Sequence, residues 1–149
     1  MSFRKVAGLL LLAACSSATQ KNGGEVTGAT APQVATQQFL RAANAGDLQA
    51  MSAEWGTEHG PARESMDHTQ LEKRLTILAC YLKHDSARIV GEAPGTSGHR
   101  EVRVELRKGN LTRQTTFYTI KGPGDRWYVE NTDLASIRDF CGNTGTTTR

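Results

Sequence analysis

Glu101-Val102-Arg103-Val104-Glu105-Leu106-Arg107-Lys108-Gly109-Asn110 reads as one strand and the turn that ends it. Apolar residues at 102, 104 and 106 alternate with charges at 101, 103, 105 and 107. A period of two places the apolar set on one face and the charges on the other, as in a half-buried antiparallel strand. Lys108-Gly109-Asn110 supplies a hairpin turn, so the chain doubles back. Residues 112–120, rich in Thr, Phe, Tyr and Ile, form the next strand. Gly122-Pro123-Gly124-Asp125 is a second turn, and residues 127–132 are a further strand. On the N-terminal side the same period covers Ala87, Ile89, Gly91 and Ala93, alternating with Arg88, Val90 and Glu92, and Pro94-Gly95 ends it. Leu134, Ile137 and Phe140 suggest a closing helical turn.

Before His84 the period is 3.6. Pro32 suits a first helical turn. Ala35, Phe39, Ala42 and Ala43 share one face, Gly46 stops that helix, and Asp47 caps a second one that carries Leu48, Met51 and Trp55. Gly60-Pro61 breaks the chain again. A third helix starts near Ser65 or Asp67, with a stripe of Leu71, Leu75, Leu78 and Leu82 that Ile77 and Tyr81 widen. The order of helices followed by an antiparallel meander defines an α+β domain, with three N-terminal helices packed on a curved sheet of four or more strands.

Two phrases add a resemblance. Phe39-Leu40-Arg41-Ala42-Ala43-Asn44-Ala45-Gly46-Asp47-Leu48 resembles the opening of nuclear transport factor two-like domains, and Asp125-Arg126-Trp127-Tyr128-Val129 resembles their last strand. The likeness covers residues 32–141 and implies a cystatin-like cone that encloses a pocket. Ketosteroid isomerases and polyketide cyclases in that group place ionisable groups inside the cone for proton transfer. No such group can be carried over to a residue of this chain.

The N-terminus carries an address. Arg4 and Lys5 precede the apolar or small residues 6–14, the order of a secretory signal. Leu12-Ala13-Ala14-Cys15 resembles the lipobox of bacterial lipoproteins. The resemblance implies a signal peptide at 1–14 and acyl chains such as palmitate on Cys15. Ser16, where inner-membrane lipoproteins of diderm bacteria carry Asp, points to the periplasmic face of the outer membrane. The apolar run is too short to span a bilayer core of about 30 Å. Residues 15–31 then read as the lipidated Cys and a flexible tether spanning roughly 20–24 Å, and residues 142–149 as a polar tail.

Of 149 residues, 18 are Lys or Arg and 15 are Asp or Glu, a formal charge of +3. Loss of Arg4 and Lys5 leaves 16 bases against 15 acids, a near-neutral chain without the clustered basic face that nucleic acid requires. With Cys15 acylated, Cys80 and Cys141 remain as a pair in an oxidising compartment, which suggests a disulfide. Cys80 lies nearly opposite the leucine stripe, well placed to be met by the tail. Two separately buried thiols are the alternative.

Chemistry-bearing residues are sparse. Glu58, His59, Glu64, Asp67 and His68 could supply a base or metal ligands, but their spacing matches no zinc pattern and reads better as a solvated loop. His84 and His99 flank strands. Trp55, Phe117 and Trp127 could line an apolar ligand pocket, or could serve as core. The expectation is an exported, lipid-anchored envelope protein, a non-catalytic binding or assembly module with a small apolar pocket. It needs no cofactor and no metal. Its partners would be the membrane through Cys15, a small apolar ligand or an envelope protein, and a second copy through the sheet face. The alternative is a small-molecule enzyme of isomerase, cyclase or dehydratase type.

Overall fold

The structure, a computed structural model, describes residues 26–142. The signal peptide, Cys15 with the first part of the tether, and residues 143–149 of the expected tail lie outside the described residues.

Helix α1 (Pro32–Ala45) begins on its proline and ends on Gly46, whose φ of 68° closes the last turn through an N–H to Ala42 and Ala43 carbonyls. The Asp47 carboxylate caps α2 (Leu48–Glu54) by accepting from the Ala50 N–H, and Asp67 caps α3 (His68–Tyr81) by accepting from Gln70. Between α2 and α3, strands β1 (Gly56–Thr57) and β2 (Gly60–Pro61) form a small hairpin that no sequence period signals.

The main sheet follows in the order β3 (Ser86–Pro94), β4 (Arg100–Lys108), β5 (Leu111–Lys121), β6 (Trp127–Thr132), each antiparallel to the next. Val102 faces Phe117 and Val104 faces Thr115 across β4 and β5, so these side chains share the helix-side face. Val102, Val104, Leu106 and Phe117 are fully buried there against Phe39, Met51 and Leu75. The fold is therefore α+β, helices on one face of a four-stranded antiparallel sheet. A 3-10 turn at Ala135–Phe140 adds Ile137 and Phe140 to the core.

Three sequence expectations need correction. Ile77 does not widen the leucine stripe: it is 54% exposed on the solvent side of α3, whereas Tyr81 does pack against the core. The alternation along β3 is not continuous. A bulge at Val90 shifts the register, so Ile89 pairs with Val104, Gly91 with Arg103 and Glu92 with Val102. The bulge turns Glu92 onto the helix-side face, where it accepts from Arg100 at 2.9 Å. Lastly, Thr27, Gly28 and Ala29 belong to the domain rather than to a loose tether. Ala29 forms an isolated antiparallel bridge with Trp127 and is 1% exposed, and the Gly28 N–H donates to the Ala53 carbonyl at 2.8 Å. Arg126 clasps this strap by donating to the Thr27 and Gly28 carbonyls.

Candidate functional site

Cys80 and Cys141 are joined by a disulfide, with Cα atoms 5.2 Å apart. Cys80 is exposed on α3 and the tail reaches it from outside, after Phe140 has buried its ring and accepted from the Lys108 ammonium at 2.6 Å.

The three aromatic candidates do not converge on one cavity. Phe117 is wholly buried in the core. Trp55, at the end of α2, packs edge-on against Phe39 with ring centroids 5.9 Å apart and bridges Val129. Trp127 lies beneath the Lys121 ammonium, 5.4 Å from the ring centroid. Their geometry is that of packing between the helices, the strap and β6.

The polar loop candidates are solvated. His59 pairs with Glu58 at 3.5 Å and His68 with Glu72 at 3.9 Å, all four largely exposed. Asp67 is spent as the α3 cap. No group of three or more His, Cys, Asp or Glu among the described residues is arranged to hold a metal ion. His84 keeps its ring nitrogen on the Leu82 carbonyl. His99 is held at both ring nitrogens, by the Glu130 carboxylate and by the Thr96 carbonyl. The hydrogen bond to Glu130 raises its pKa, and burial offsets this in part. Engaged on both sides, His99 pins the β3–β4 turn to β6 and has no free ring nitrogen to activate a nucleophile.

Two further features were not anticipated from sequence. Glu54, at the end of α2, has its carboxyl pKa pushed up to about 7 by burial, with the Arg126 charge pulling it partly back. With the Gln38 amide nitrogen turned toward it, Gln38 donates to both carboxylate oxygens at 3.0 and 3.2 Å. The pair lies in a shallow groove of about 360 Å³ between α1 and α2, beside Arg41 and the exposed Val26. Glu54 is one residue before Trp55 on a helix whose next turn back is the buried Met51. That position was the available signal for partial burial.

The larger feature is a groove of about 770 Å³ between α1 and β3. Gln37, Leu40 and Arg41 form its helical wall, and Ser86 to Ile89 form the opposite one, with Val104 at the floor. Four consecutive strand residues line it. Because successive side chains point to opposite faces, β3 must present its main-chain edge to this space. The sequence signal was composition: Ile89 and Val90 are the only large apolar residues in a β3 otherwise made of small and charged ones, as befits an edge strand.

Comparison with family models, curated proteins and solved structures returned no match.

Proposed function

We propose that this chain is an exported, lipid-anchored envelope domain that works by binding, built on a nuclear transport factor two-like cone, and that the groove between α1 and β3 is its binding surface. The Cys80–Cys141 disulfide carries the reading. Stable disulfides belong to oxidising, exported compartments, and this one uses both cysteines that remain once Cys15 is acylated. The helix-to-sheet space is filled by Phe39, Met51, Leu75 and Phe117, which favours a surface groove over an enclosed reaction chamber.

The test is fractionation. Cys15→Ser should abolish metabolic labelling by a palmitate analogue and move the protein off the membrane. Unchanged membrane fractionation with unchanged labelling would defeat the proposal. The acid–base enzyme reading has one feature in its favour, Glu54, whose carboxyl titrates where a general base works. On that reading Glu54→Gln would abolish turnover while leaving the fold intact.

A further inference from the structure

The two edges of the main sheet are treated differently. The β6 edge is covered: Ala29 bridges Trp127 and Trp55 bridges Val129. No strand and no hydrogen bond among the described residues occupies the outer edge of β3. In an antiparallel ladder, alternate residues of an edge strand direct N–H and C=O groups away from the sheet. Along Ser86 to Ile89 these groups meet the groove rather than bulk solvent. The bulge at Val90 ends the regular edge, and Pro94 closes the strand.

We infer that this groove takes an extended, acidic peptide segment of a partner protein, which pairs with Ser86–Ile89 as an added strand and sets an Asp or Glu side chain on Arg41. The inference rests on the binding reading above and adds the occupant. Four residues of pairing span about 13 Å, the length of the regular edge before the bulge. The main chain supplies affinity and the side-chain wall supplies choice, as in strand addition generally. Half-buried Ile89 offers apolar surface to a side chain of the peptide, beside the buried Leu40 and Val104. The charge is decided by what is already engaged. Arg88 is held by Glu105 at 3.1 Å, Lys83 donates to the Asn44 carbonyl, and the Asp85 carboxylate accepts from the Gly109 N–H at 2.7 Å. Arg41 is exposed and has no hydrogen-bonding or ionic partner among the described residues, so it is the cation left to answer an acid.

The full chain carrying Cys15→Ser is titrated with the acetylated, amidated pentapeptide TVEVT and with TVKVT. The expected result is movement of the Ser86–Ile89 amide resonances by TVEVT. Arg41→Glu should weaken TVEVT about tenfold, a shift of about 1.4 kcal/mol, and strengthen TVKVT. N-methylation of the peptide's central amides should abolish the response. No response up to about 1 mM peptide, equal binding of the two peptides, or binding indifferent to N-methylation would overturn the inference. A parallel titration with the neutral dye Nile red separates the two levels. Dye bound in the groove without a peptide response overturns the peptide inference and leaves the binding reading standing, whereas silence from both removes both.

Discussion

At Glu54 the Gln38 amide and the Arg126 charge offset only part of the cost of dehydrating a half-buried carboxylate, so burial dominates. The carboxyl titrates near 7 in the folded chain and near 4.5 when unfolded. Between those values the native state holds the extra proton, so stability falls as pH rises from about 4.5 to about 7 and is flat above. Glu54→Gln should remove that slope. It should stabilise the protein by about 1 kcal/mol at pH 8, allowing for the carboxyl's partial solvation, and change little near pH 4. Urea unfolding at the two pH values measures this, and equal effects at both would contradict it. His99 answers to the opposite sign. Its imidazolium is favoured by Glu130, so Glu130→Gln should lower the His99 pKa in an NMR titration.

Among the elements, the strap at Thr27 to Ala29 shows most clearly how distant residues decide local order. Gly28 has φ of 66°, and a Cβ there would stand 2.8 Å from the Tyr128 ring. Gly28→Ala should therefore cost about 2 kcal/mol, read from the denaturation midpoint. Helices α1, α2 and α3 were legible because their signals are local: Pro32, Gly46, Asp47 and Asp67 lie within a turn of the boundaries they set. Strand β4 was legible because its partners agree with its own period. The strap was not, since Thr, Gly and Ala read as linker until Arg126 and Tyr128, about a hundred residues away, clasp them. The bulge at Val90 was hidden for the same reason, because only pairing with β4 shows where a residue is skipped. The Glu54–Gln38 pair joins two helices whose packing angle no single period contains. The β3 groove was half-legible: the strand's composition marks an edge, but its proximity to Arg41 is tertiary.

At the scale of the molecule, the disulfide ties the last turn to α3 across 61 residues of chain. A loop of that length stabilises by about 4 kcal/mol in the chain-entropy account. Cys80→Ser with Cys141→Ser should lower the melting temperature by roughly 10 °C or more in calorimetry. A change near zero would mean that Ile137, Phe140 and the Lys108 contact hold the tail unaided. The strap has no such crosslink. It is fixed by the Gly28 bond to Ala53, the paired bonds between Ala29 and Trp127, and the Arg126 clasp. Strap and groove lie at opposite margins of the sheet. A cargo tugging at β3 while the chain ahead of Val26 is held would load the β-ladder rung by rung, and the tension would leave through three residues. On the anchored, binding reading proposed above, those residues would act as a mechanical fuse and would peel before the covalently locked end felt any strain.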